Sequence, residues 1–354
     1  MTSFHMRAGM EASPGALEET AGWSGDVPAA AAALADASSV DLAGCGTSYF
    51  AGMAIAHVLQ EVGIPAQAHN AFELAAYPPP ADPRRALVAI SHTGTTPDAV
   101  AAARDRSAPT IGLTDAADSP LVRACDHALV GPGGMEPALP KTRSYLTTLQ
   151  RGYTLALAAG AAHGAATAEL DDALRGAPEV AATSLAAEGI DALAQRFSRA
   201  GRIVVVGAGP EVATANEAAL KITEAAGMHA DAWEVEEAAH GTWASAEPDE
   251  LAVLLAPRGR GAEAIRRIGR GLRAIGVATW VLGTDPEALA EADHATALPE
   301  LPEPLAPLAS TLPLYRFAFE LALARGANPD VMRQDEPRHR EARTIMRRSL
   351  PADV

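Results

Sequence analysis

Lysine is nearly absent from this chain: Lys141 and Lys221 are the two in 354 residues, and arginine supplies the rest of the basic charge. Two retained lysines point to places that need a compact, titratable ammonium; the alternative is compositional drift toward arginine with two left over. Cysteine is as scarce. Cys45 and Cys125 cannot make a disulfide framework, so a reducing cytoplasm is the expected compartment. Aromatic residues amount to 4%, which leaves Ala, Val and Leu to build the core in helices and buried strands. Basic residues number 28 against 44 acidic ones, and the net charge of −16 argues against nucleic acid or an anionic membrane as partner. An anionic small substrate would have to be held by local devices against that field. No apolar run reaches membrane-spanning length, and residues 1–6 lack a signal-peptide pattern. No His-x-x-x-His or Cys-x-x-Cys spacing occurs, so neither a metal nor another cofactor is expected.

What the chain has is a loose internal repeat. Val40–Ala43, Ala86–Ile90, Thr110–Leu113 and His127–Val130 are short apolar runs separated by helix-period segments. The second half repeats the pattern with Arg202–Val206, Leu251–Leu255 and Thr279–Leu282. Such alternation predicts βαβ units and parallel sheets, hence two tandem α/β domains, each a doubly wound sheet. The expected boundaries are a helical lead-in over 1–24, a first domain over 25–165, a helical connector over 166–184, a second domain over 185–325 and a tail over 326–354. The tail is rich in Arg and Glu, and is expected to be exposed.

Ser91-His-Thr-Gly-Thr-Thr96 follows a strand, carries four hydroxyls in six residues, and leads through Pro97 into a helix predicted to reach Arg106. Gly94 permits a tight turn, Thr96 is placed to cap the helix, and the free amides and dipole at its start favour an anion. The simpler alternative is a capped βα turn that binds nothing. Gly44-Cys-Gly-Thr-Ser48 is a second strand-to-helix glycine turn with hydroxyls at Thr47 and Ser48. The counterpart of the hydroxyl loop in the second half, around Ala256-Pro257-Arg258, has no hydroxyl.

Five segments stand in the order and spacing of the sugar isomerase (SIS) family: Gly44–Ser48, Ser91–Thr96, Thr142–Leu149, Ala219–Glu224 and His240-Gly241. The chain most resembles the isomerase half of glucosamine-6-phosphate synthase and stand-alone phosphosugar isomerases and deaminases. The likeness spans Met6–Glu11 through the tail motif Asp335-Glu-Pro-Arg-His339. It implies two flavodoxin-like SIS domains and a phosphorylated sugar substrate. It implies substrate binding by Cys45, Gly46, Thr47, Ser48, Ser91, His92, Thr93, Thr96, Leu139, Lys141 and Arg143.

Moving a carbonyl between C1 and C2 of a sugar needs a base that carries the proton and a group that helps open the ring. Glu224 lies three residues after Lys221, so a helix puts both on one face, where an ordinary i,i+3 ion pair is the simpler reading. The resemblance places the family's enediol-forming glutamate and a lysine at these two positions. It likewise makes His240 the ring-opening histidine, reaching into the active site of a neighbouring copy, and so implies a homodimer. The expected activity is aldose–ketose isomerisation of a hexose or amino-hexose phosphate, with amination or deamination by free ammonia as an extension.

Three departures bear on this. Nothing precedes the lead-in and residue 2 is Thr, not a nucleophilic Cys, so glutamine-dependent amidotransfer is not expected unless another chain supplies ammonia. The family's tail lysine, which forms an imine with the ketose, falls at Ala342 or Arg343, and neither can form one. Arg143 stands where a lysine is common, with Lys141 two residues earlier. A non-catalytic phosphosugar-binding regulator is therefore a second reading. A dinucleotide-binding reading of Val204–Ala213 is disfavoured, since Val212 occupies the third glycine position and no acidic end to a second strand is evident.

Overall fold

The structure, a computed structural model, describes residues 4–23, 25–104 and 106–347. Residues 1–3 and 24 of the expected lead-in, and 348–354 of the expected tail, lie outside the described residues. The chain divides into two compact units. One, the first-sheet unit, holds Ser13–Glu136, Arg143–Pro178 and the described residues from Ala342 onward. The second-sheet unit holds the described residues up to Ala12, Pro137–Thr142 and Glu179–Glu341.

Helices α1 (His5–Ala21) and α2 (Val27–Ala35) precede the first sheet. Its strands are β1 (Ser39–Gly44), β2 (Ala66–Asn70), β3 (Arg85–Ile90), β4 (Thr110–Thr114) and β5 (His127–Val130). All pair in parallel, in the order β2-β1-β3-β4-β5. The crossovers are α3 (Thr47–Glu61), α4 (Ala71–Ala76), α5 (Pro97–Ala103) and α6 (Pro120–Ala124); α7 (Arg143–His163), α8 (Ala168–Arg175) and α9 (Ala177–Leu185) follow. A parallel sheet is buried on both faces, which is why its central strands read as continuous apolar runs. On one face Ala43, Leu87 and Ala89 pack with Leu74 of α4 and Val100 of α5. On the other, α3 comes close enough at Gly52 for an added methyl to touch Leu42, Ala68 and Ile90.

The second sheet is built from β6 (Ile203–Gly207), β7 (Ala230–Glu234), β8 (Leu251–Ala256), β9 (Ala278–Gly283) and β10 (His294–Ala297), after α10 (Ile190–Phe197). Its order β10-β9-β8-β6-β7 is the same 2-1-3-4-5 arrangement read from the other edge. Around it lie α11 (Glu211–Ala226), α12 (Val235–Ala239), α13 (Ala262–Ile275), α14 (Pro286–Glu291) and α15 (Pro307–Ala324); the exposed α16 (Pro337–Met346) follows in sequence. Ile265, Ile268 and Leu272 of α13, at i, i+3 and i+7, bury against Val204, Leu254 and Val281.

The expected fold class is what the chain adopts, with three additions: β2, β7 and β10 were not foreseen, and α5 stops at Ala103, short of Arg106. An acidic residue does close the second strand of the second sheet, contrary to expectation. It is Glu234, and its carboxylate caps α12 by accepting the Glu236 and Glu237 amides at 3.0 and 3.1 Å. Among the described residues no helix is long and apolar enough to cross a membrane.

Candidate active site

In the first-sheet unit, β1 and β3 are neighbours whose crossovers cover opposite faces of the sheet. That is the switch point of the topology, where the crevice at the strand ends opens. Residues 44–48 and 91–96 flank it. Gly44 is indispensable to its turn, since a β-carbon there would fall 2.5 Å from the Ser48 backbone carbon. Gly94 has φ +62°, and its β-carbon would strike Ser119.

The hydroxyls of the second loop are paired across it. Ser91 Oγ lies 2.9 Å from Thr96 Oγ1, and Thr93 Oγ1 lies 2.7 Å from Thr95 Oγ1. Thr96 holds the N-cap position by backbone, but its hydroxyl serves Ser91 and makes no capping bond. The seven-residue α5 begins with Pro97, which has no N–H, and carries Asp98 in its first turn. Its start is therefore a poorer anion partner than expected. The 15-residue α3, with Thr47 and Ser48 at its first two positions and no acidic residue in its first turn, is the better one. Burial, reinforced by Asp98, pushes up the thiol of Cys45, itself a member of the first loop.

His92 is turned back into its own unit. Its Nδ1 lies 2.7 Å from Asp115 Oδ2, and its Nε2 accepts the Glu136 amide at 3.3 Å. Arg151, 1% exposed, donates to Asp115 Oδ1 at 2.5 Å and to the Thr114 and Leu129 carbonyls at 2.7 and 3.1 Å. Burial pulls the Arg151 guanidinium below its usual range, and the Asp115 carboxylate opposes that. The Glu136 carboxylate caps α7, accepting the Arg143 and Ser144 amides and the Ser144 hydroxyl. The Arg143 guanidinium donates to the Gly134 carbonyl at 3.0 Å.

In the second-sheet unit, α11 carries an internal charge cluster. Lys221, 1% exposed, lies 2.5 Å from Glu224 Oε2 and 3.3 Å from Glu217 Oε1, and Tyr315 of α15 donates to the same Glu217 oxygen at 2.8 Å. Burial alone would depress the Lys221 ammonium; the two carboxylates more than reverse this and hold it above the usual lysine range. Of the three charged side chains only that of Glu224, 13% exposed, reaches solvent appreciably. Glu217 and Tyr315 did not figure among the expected residues. The first could have been found from its i,i+4 spacing to Lys221.

Leu139 and Lys141 also belong to this unit. The Leu139 amide donates to the Asp330 carbonyl at 3.0 Å, and Lys141 Nζ to the Ala138 carbonyl at 2.7 Å. His240 stands at the end of α12, its side chain 79% exposed and 3.9 Å from Glu236. The turn that matches the hydroxyl loop is filled by an internal carboxylate: Glu303 accepts from Arg260 Nε at 3.2 Å and from the Gly261 amide at 3.4 Å. Among the described residues no cluster of His, Cys, Asp and Glu could hold a metal ion.

A cavity of about 540 Å³ opens at the opposite end of the first sheet, lined among others by Ser39, Asp41, Gln67, His69 and Arg85. It is distinct from the switch point. Asp41 there is held below the usual carboxylate range: burial would raise it, and His69 and Arg106, each 3.2 Å away, outweigh that.

The SIS domain family model matches residues 33–158 and 196–325, one match over each sheet, and the chain belongs to that family. Over 315 residues it is 30% identical to the isomerizing glutamine–fructose-6-phosphate aminotransferase of Pseudomonas syringae pv. tomato, covering 86% of this chain and 52% of that protein. The corresponding Pyrococcus horikoshii protein is 30% identical over 311 residues, with the same shares covered. The chain thus spans about half the length of the curated relatives it matches. Among solved structures, the C-terminal domain of the Francisella tularensis aminotransferase has a TM-score of 0.85 at 21% identity, covering 93% of this chain and 98% of that one. The glucosamine-6-phosphate deaminase of Thermotoga maritima has 0.75 at 21%, covering 92% and 96%. Both share the fold.

Proposed function

We propose that this protein is a phosphosugar aldose–ketose isomerase acting on a hexose or amino-hexose phosphate of the glucosamine 6-phosphate or fructose 6-phosphate type. Amination or deamination by free ammonia is the natural extension, because the curated relatives are isomerizing aminotransferases and one structural neighbour is a deaminase. The reaction needs a grip on the phosphate and a carrier for one proton. The hydroxyls of Ser91–Thr96, with Thr47 and Ser48, supply the grip. Glu224 supplies the carrier: its carboxylate takes the proton from C2 of the opened aldose and returns it to C1, as a second proton passes between O2 and O1. Lys221 balances the carboxylate charge throughout. His240, exposed within its own chain, assists ring opening from a second copy, which makes the working form a homodimer.

The cluster on α11 carries this reading. Sealing the Glu217 carboxylate and the Lys221 ammonium inside a unit, with the Glu224 carboxylate at their edge, contributes little to stability, since desolvation offsets the attraction, so a chemical role is the better account of it. A binding-only regulator is the second reading, favoured by Ala342 and Arg343 in place of an imine-forming lysine. Nuclear magnetic resonance of fructose 6-phosphate and glucosamine 6-phosphate in deuterium oxide separates the two. We expect deuterium at C1 or C2, slowed about 10²–10⁴-fold by Glu224→Gln. Full exchange in that variant would overturn the assignment of the base. Saturable binding with no exchange would favour the regulator.

A further inference from the structure

We propose that Asp115 and Arg151 are positioning residues for the anion loop, acting through His92, and that the His92 ring supports the loop instead of touching the phosphate. The inference rests on the reading of Ser91–Thr96 as a phosphate grip. The carbonyl and both ring nitrogens of His92 are engaged inside the first-sheet unit. Its carbonyl accepts the Asp115 amide at 3.1 Å and the Thr114 hydroxyl at 3.2 Å, and its Nδ1 meets Asp115 Oδ2 at 2.7 Å. Because Nε2 accepts the Glu136 amide, the ring is neutral with its proton on Nδ1, donating to Asp115. Such a ring has no N–H left to offer a ligand.

Asp115 is anchored in turn. Arg151 grips its other oxygen, and further Arg151 donors hold the Thr114, Leu129 and Thr147 carbonyls, tying the ends of β4 and β5 to α7. The chain Arg151–Asp115–His92 thus transmits the rigidity of the sheet and α7 to a loop that contains a glycine in a left-handed turn. A loop held in its binding geometry spends less affinity on ordering itself around the anion. Arg151 also cancels the Asp115 charge, which would otherwise repel a phosphate.

The second-sheet unit supplies the contrast. The nearest acidic residue after β9 is Asp285, two residues past the strand; both its oxygens meet Arg266 of α13 at 2.9 Å, and it caps α14 through the Ala288 amide. Among the described residues no histidine joins it to the turn after β8, and that turn has no hydroxyl set to support.

The test is calorimetric titration of the full chain with inorganic phosphate and with fructose 6-phosphate, using wild type and three His92 variants. Asparagine places an N–H where Nδ1 is, whereas glutamine places one where Nε2 is. We expect His92→Ala to weaken both ligands about tenfold, His92→Asn to restore most of the loss, and His92→Gln to restore little. A ¹⁵N spectrum of the wild-type ring should show the Nδ1–H tautomer. Rescue by glutamine and not asparagine would make His92 a direct ligand and overturn the proposal. Wild-type affinity in His92→Ala would overturn it while leaving the phosphate reading intact. Wild type that binds neither ligand would overturn that reading and this proposal with it.

Discussion

The two sheets are the same device used for different ends. Even their small fittings match. Asp126 Oδ2 accepts both the amide and the hydroxyl of Thr110, while its own amide donates to that hydroxyl, joining the ends of β4 and β5. Asp293 and Thr279 make the same three bonds between β9 and β10. Gly44 and Gly207 both sit where a β-carbon would strike backbone four residues on, at Ser48 and Glu211. The units part company in where they keep charge and hydroxyls. The first-sheet unit places a hydroxyl loop at its switch point and buries Arg151 behind it. The second-sheet unit fills the matching turn with Glu303 and buries Lys221 in the helix that follows β6. The sheet scaffold tolerates either arrangement because the differences lie on crossover turns and helix faces, leaving the strands themselves alone.

The largest effects should come from the two buried cations. Lys221→Ala leaves two carboxylates facing each other without a counter-charge, and Arg151→Ala takes the guanidinium from Asp115 and leaves it the His92 hydrogen bond. Each should cost about 3–5 kcal/mol of unfolding free energy, measured by chemical denaturation. If one variant costs that much and the other nothing, the units do not use their internal cations alike.

A pH effect should separate the units next. Burial, with the Glu303 charge adding to it, pushes the Glu211 carboxyl up to about 7 from the usual 4.5. Unfolded, this group loses its proton near 4.5, whereas folded it keeps it to about pH 7. Its contribution to stability is therefore full at the acid end and is lost as pH rises between those values, about 3 kcal/mol in all. Ser48 at the matching place in the first-sheet unit cannot titrate. Glu211→Gln should flatten the decline between pH 4.5 and about 7, as followed by melting temperature. An unchanged slope would place the titration elsewhere. The smallest effect is the most symmetric: Thr110→Val and Thr279→Val should each cost about 1 kcal/mol, equal within error.

The central strands were legible because parallel strands buried on both faces leave unbroken apolar runs. The three missed strands lie at sheet edges. Ala66-Gln-Ala-His-Asn70, Ala230-Asp-Ala-Trp-Glu234 and His294-Ala-Thr-Ala297 mix small and polar residues, as partly exposed edges do. The pairing of Lys221 with Glu224 could be read from helical spacing. Tyr315 could not, since it reaches Glu217 across 98 positions, nor could the grip of Arg151 on Asp115 across 36. Contacts of that span are set by topology, which no local pattern reports. The same holds for His92: composition marked its loop as polar, and only the fold reveals that its ring faces inward.

Titrating glucosamine 6-phosphate into Glu224→Gln and into the loop variant Ser91→Ala/Thr96→Val tests the division of labour most directly. The account predicts wild-type affinity in the first and at least a tenfold weaker grip in the second. Undiminished binding by the loop variant, or binding lost with Glu224 alone, would contradict it.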